Sequence, residues 1–197
     1  VIALPLVGAL INGTLALGQA RWGLTVSHRL VTLIGVAAPA LAFVIAARYF
    51  IVLASFGVGG FAPAIAPLFT WIGFANWVVE IGVRTDQLSM IMTLIITGVG
   101  FLIHVFSVGY MKEDPGYPRY FAYLNLFVFF MLVLVMGSSY ALMFVGWEGV
   151  GLCSYLLIGF WFEDDANAAA GKKAFLVNRI GDFGFLLAMF MIWWATT

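Results

Sequence analysis

Long apolar runs with short polar punctuation set the plan of this chain. The first runs from Val1 to about Ala20. After a linker carrying Arg21, His28 and Arg29, the second runs from about Leu30 to Leu53, with Arg48 near its end, where a long side chain snorkels to the interface. A third runs from about Leu88 to Tyr110, a fourth from about Arg119 to Met136, a fifth from Tyr140 to Phe162 and a sixth from about Lys172 to Trp194. A helix crosses a ~30 Å hydrocarbon layer in about 20 residues, so the pattern predicts an all-α integral membrane protein with about six transmembrane helices. Only Gly137, Ser138 and Ser139 separate the fourth and fifth runs, which makes those helices antiparallel neighbours. The loop KEDPGYPR, Lys112 to Arg119, carries two prolines and is a turn.

Between Ser55 and Gln87 the rhythm changes. Gly57, Gly59, Gly60, Pro63 and Pro67 break any helix there. Partial alternation through Trp77, Val79, Ile81 and Val83 then predicts a short interfacial hairpin between the second and third spans. Trp71 and Trp77 suit the aromatic belt of a membrane surface.

Composition agrees with the pattern: 64% of residues are hydrophobic and 9% charged, and the mean hydropathy is +1.09. A soluble domain carries roughly 25% charged residues. The formal net charge of +0 gives no support for nucleic-acid binding. The single cysteine, Cys153, lies in an apolar run, so no disulfide framework or cysteine-ligated metal is available. With alternating spans, Arg21, Arg29, Lys112, Arg119, Lys172 and Lys173 fall on one side, and only Arg48 and Arg84 border the other. Basic loops face the cytoplasm or matrix, which puts the N-terminus on the opposite face. The chain opens on Val1 with no charged leader and stops at Thr197 as a span finishes, which reads as a piece of a longer protein.

The chemistry lies in charges placed where charge is costly. Glu148 sits inside the fifth run, flanked by Gly146, Gly149 and Gly151, which allow close approach of another helix. A charge at that depth costs about 2.5–3.5 kcal/mol or more, so it needs a partner or a task. In the sixth run Lys172, Arg179 and Asp182 share one helical face. Two readings stand: Arg179 and Asp182 form a local ion pair that offsets its own burial, or they join a polar axis with Glu148. Glu148 itself is either a hydrogen-bonded packing carboxyl or a proton relay whose proton affinity follows a moving cation. In the third run Ser89, Thr93, Thr97, Gly100, His104 and Ser107 form a small and polar stripe along one face. Such a stripe is a helix-packing face or a hydrated one, and His104 is correspondingly a packed residue or a relay. No nucleotide loop, flavin fingerprint or haem motif is present.

The runs LIHVFSVGYM (Leu102–Met111), YPRYFAYLNLF (Tyr117–Phe127), GWEGVGLCSYLLIGFWF (Gly146–Phe162) and KAFLVNRIGD (Lys173–Asp182) resemble the chain 5, or subunit L, family of respiratory complex I, the NADH–quinone oxidoreductase. The likeness is dense from about Asp86 to Asp182 and faint before it. It implies the start of an antiporter-like bundle: residues 1–87 as N-terminal spans and interfacial loop, and 88–197 as the start of the proton-translocation domain. It further implies that Glu148 pairs with a lysine on a later, broken helix absent from this chain, that Arg179 and Asp182 belong to the same network, and that His104 lies nearby. FMN, iron–sulfur clusters and quinone would belong to other subunits. The implied partners are the other membrane-arm subunits, above all the neighbouring antiporter-like one, in the bacterial inner (plasma) membrane or the mitochondrial inner membrane. The alternative is a subunit of an Mrp-type cation/proton antiporter, and a third reading gives the polar groups a role in assembly alone.

Overall fold

The computed structural model describes residues 1–55, 63–74 and 77–196, without the side chains of Phe74 and Trp77. Among the described residues six helices are long and apolar enough to cross a membrane: α1 (Ala3–Trp22), α2 (His28–Ala54), α3 (Gln87–Tyr110), α4 (Tyr117–Met136), α5 (Tyr140–Ile158) and α6 (Asp165–Thr196). Between α2 and α3 lie two antiparallel strands, β1 (Ala64–Phe74) and β2 (Trp77–Thr85). The expected hairpin is therefore present and longer than the alternation in β2 alone announces. Val79 is buried while Val78, Glu80 and Arg84 are exposed, as a period-two pattern requires. Register irregularities between Pro67 and Phe69 and between Thr70 and Ile72 absorb the proline, which has no N–H for a ladder. Gly57, Gly59 and Gly60 lie outside the described residues.

Local chemistry sets the helix ends. Gly23 closes α1 in the left-handed region at φ 64°, where glycine carries no side-chain penalty. Asp86 caps α3 reciprocally: its Oδ1 accepts from the Ser89 N–H at 2.8 Å, and its own N–H donates to Ser89 Oγ at 2.8 Å. Pro118 stands in the first turn of α4, where a missing N–H costs nothing. Gly159 ends α5 short of the expected Phe162, and α6 begins at Asp165 rather than Lys172. At 32 residues α6 is about 48 Å long, well beyond a ~30 Å core. Its first two turns are too polar for hydrocarbon, so periodicity of apolar residues found the span and missed the helical lead-in.

α4 is the hub and packs against α1, α2, α3 and α5. Pro39 inside α2 leaves the Gly35 carbonyl without its helical donor, and Asn125 of α4 supplies one at 3.2 Å. In lipid such a repair is obligatory. The α3 stripe is buried at Ser89, Thr93, Thr97, His104 and Ser107. Thr93, Thr97 and Ser107 turn their hydroxyls back onto carbonyls of their own helix at 2.7–2.8 Å, as a packing face does.

The connections gather at two ends. At one, Gln19 reaches the Pro115 carbonyl, Arg119 the Phe160 carbonyl, and the Trp161 indole donates to Asp114. At the other, the Ser138 N–H donates to the Gly82 carbonyl and Ser139 Oγ to the Glu80 carbonyl, which ties the hairpin to the α4–α5 turn. The spans thus alternate in direction. α6 packs chiefly on α5 and is otherwise uncovered: of its residues only Gly171 and Asp182 are buried.

Candidate proton-relay site

α5 is pressed onto α4 by two of its glycines. A Cβ on Gly146 would lie 2.5 Å from the Leu134 nitrogen, and one on Gly149 would overlap the Phe130 ring. Gly151 meets nothing within 4 Å among the described residues, so the expectation of three close-approach glycines holds for two. With Gly146 and Gly149 turned to α4, Glu148 and Trp147 between them are turned toward α6.

There the Arg179 guanidinium faces two carboxylates. Its Nη1 donates to Glu148 Oε2 across the helix pair, and its Nε lies 3.6 Å from Asp182 Oδ2 one turn along α6. The Trp147 indole N–H donates to the other oxygen of Asp182 at 2.7 Å. The structure thus places Arg179 in contact with both carboxylates: Asp182 on its own helix and Glu148 across the helix pair. Asp182 is the most enclosed member, its side chain 8% exposed against 23% for Glu148 and 42% for Arg179. The guanidinium lies 4.5 Å over the Phe175 ring, a face that attracts cations. Trp147 stacks on Phe185 at 5.5 Å, which fixes the indole.

Trp147 was not among the expected residues. Its signal is an indole N–H within an apolar run, a donor that needs an acceptor when lipid surrounds it. Which acceptor it finds depends on helix rotation, which no sequence pattern supplies. His104 stands outside the cluster. It is buried on α3 with its Nδ1 2.7 Å from the Gly100 carbonyl and its ring 6.1 Å from that of Phe121, and its Nε2 has no partner among the described residues. Lys172, on the face of Arg179, does not join the ion pairs. No group of three metal-ligating side chains converges among the described residues.

Six membrane-length helices among the described residues, with an acid–base–acid cluster shared by two of them, define a polytopic helical membrane protein. Residues 71–121 match the family described as complex I chain 5 N-terminus, and residues 137–197 match the transmembrane family of NADH:quinone oxidoreductases and Mrp antiporters. NADH-quinone oxidoreductase subunit L of Mycobacterium tuberculosis is 48% identical over 194 residues, covering 96% of this chain and 29% of the relative. Its namesake in Escherichia coli is 41% identical over 192 residues, covering 98% of this chain and 30% of the relative. The chain belongs to the chain 5, or subunit L, family of complex I. It spans less than a third of the length of these relatives. The same fold occurs in a solved archaeal respiratory membrane complex, the membrane-bound sulfane sulfur reductase: TM-score 0.71 at 21% identity, covering 94% of this chain and 34% of that one.

Proposed function

We propose that this chain supplies part of a proton-translocating membrane-arm subunit of NADH:quinone oxidoreductase, coupling quinone reduction in other subunits to proton movement. The observation that carries this reading is Arg179 held between two carboxylates on adjacent helices. A carboxylate in low dielectric stays ionised beside a cation and takes up a proton when the cation leaves. Arg179 contacts Glu148 and stands 3.6 Å from Asp182. A swing of the guanidinium toward Asp182 uncovers Glu148 for protonation, and its return expels the proton. Trp147 holds Asp182 in place through that exchange. His104 enters as a separate group on α3, screened from solvent and with one ring nitrogen unpartnered among the described residues.

The redox groups, FMN, iron–sulfur clusters and quinone, belong to other subunits in this reading. Partners are the remaining membrane-arm subunits, first of all the neighbouring antiporter-like one. The six basic residues of the α1–α2, α3–α4 and α5–α6 end face the cytoplasm, which sets the N-terminus on the periplasmic side of a bacterial inner membrane.

The test is Glu148→Gln in the full-length chain within the assembled complex, read as proton pumping and NADH–quinone turnover in sealed membranes. Lost pumping with intact assembly is expected, and unchanged pumping would make Glu148 a packing carboxyl. The match to the family shared with Mrp antiporters supports a second reading, a cation/proton antiporter subunit. Cation-driven proton exchange without NADH or quinone would favour it.

A further inference from the structure

At the end of the bundle that carries the basic loops, a groove of about 1060 Å³ opens between α1 and α4. That exceeds the ~300–1,000 Å³ of an ordinary small-molecule site. Its wall follows α1 from Ala9 to Ala20, about 17 Å of helix and so roughly one leaflet of the ~30 Å core. Leu10 and Leu17 line it and are exposed, and Gly13 leaves its floor low: a Cβ there would meet only the Ala122 methyl, at 3.9 Å.

The mouth is polar and of mixed sign. Arg119 donates to the Phe160 carbonyl and lies over the Phe160 and Phe162 rings at 4.5 and 5.1 Å, while its buried Nε has no partner among the described residues. No carboxylate pairs with it among the described residues, although Asp114, Glu163 and Asp164 line the same mouth. A smaller cavity of about 160 Å³ adjoins through Arg119 and adds Lys172.

We propose that this groove holds one zwitterionic phospholipid with a primary ammonium head group, phosphatidylethanolamine. One acyl chain lies along α1, the phosphate meets Arg119 and Lys172, and the ammonium meets the carboxylates. The sign of the mouth selects the class, because an anionic head group would leave three carboxylates facing excess negative charge. The choice of ammonium over choline follows from the carboxylates, which accept from an N–H donor and find none on a quaternary ammonium; of the aromatics at the mouth, Phe160 and Phe162 are already faced by the Arg119 guanidinium. The site stands apart from Glu148, and its test does not depend on the proton reading.

The experiment uses the intact complex carrying the full-length chain, in phosphatidylcholine nanodiscs with a trace of diazirine-acyl phosphatidylethanolamine, photolysed and mapped by mass spectrometry. Label is expected on α1 and α4 peptides, displaced by unlabelled phosphatidylethanolamine but not by phosphatidylglycerol or phosphatidylcholine. Gly13→Leu, which fills the floor, should abolish it. Arg119→Gln should weaken retention about tenfold, as loss of one charge-assisted contact does. Equal labelling of Gly13→Leu and wild type in assembled complex, equal competition by phosphatidylglycerol, or no label on α1 and α4 because later parts of the chain fill the groove, would each overturn the proposal.

Discussion

Replacing Gly146 by alanine tests whether the α4–α5 contact positions the relay. The added methyl would lie 2.5 Å from the nitrogen and 2.6 Å from the Cα of Leu134. Non-bonded carbons rest about 3.5–4.0 Å apart, so a gap of roughly 1 Å must open. Both obstacles are backbone, so no rotamer change relieves them, and the helices themselves must part. Overpacking of this kind costs about 1–3 kcal/mol, of which the better helix propensity of alanine returns up to about 1 kcal/mol. The larger consequence is positional. Glu148 is two residues on, and a displacement of about 1 Å at a reacting group can lower a rate about 100-fold. The assay compares Gly146→Ala with Gly151→Ala, whose methyl meets nothing among the described residues, in assembled complex reconstituted into liposomes with a pH-sensitive dye. Gly146→Ala should lower the thermal midpoint modestly and pumping severely, and Gly151→Ala should do neither. Indistinguishable behaviour of the two variants in both measurements would refute the reasoning.

Three further outcomes follow from the same geometry. Trp147→Phe keeps the ring that stacks on Phe185 and removes the donor to Asp182, a charged hydrogen bond worth about 1.5–3 kcal/mol; pumping should slow, less than in Glu148→Gln, with assembly unchanged by native gel electrophoresis. Asn125→Leu strips the Gly35 carbonyl of its replacement donor and should cost about 1–3 kcal/mol of thermal stability, while Asn125→Gln restores part of it. Asp86 accepts from the Ser89 N–H and lies beside Arg84, which hold its carboxyl below the usual range. A depressed folded-state value means stability is present above the unfolded value of 3.8 and is lost as the pH falls through the folded one. Asp86→Ala should cost about 1 kcal/mol at neutral pH, and Asp86→Asn should keep the cap and lose this acid-dependent part, both read by thermal melts across pH 2–7.

Span positions were legible in the sequence because lipid demands long apolar runs and punishes everything else. Helix limits were less so: Asp165 to Gly171 is alanine-rich and helical but not apolar, and Gly159 ends α5 while the apolar sequence continues through Phe162. Glu148, Arg179 and Asp182 were legible from the cost of their depth. Their meeting was a matter of helix rotation, and so were the difference between Gly146 and Gly151 and the part played by Trp147. The repair of the Pro39 gap by Asn125 joins residues far apart in sequence, and no local pattern contains it.

The packing of α6 chiefly on α5 has a consequence for biogenesis. At the centre of a helix entering the bilayer, Arg and Asp each cost about 2.5–3.5 kcal/mol, and each Leu, Ile or Phe returns about 0.3–0.6. Arg179 and Asp182 therefore cancel most of what the apolar residues of α6 provide, and Glu148 taxes α5 in the same way. Paired, the guanidinium and the carboxylates remove much of that cost for both helices. The connection from Gly159 to Asp164 is short enough for the two to leave the insertion machinery together. The residues proposed to move protons in the finished protein thus also make α5 and α6 a single unit of membrane insertion, in which the earlier helix waits for the later one.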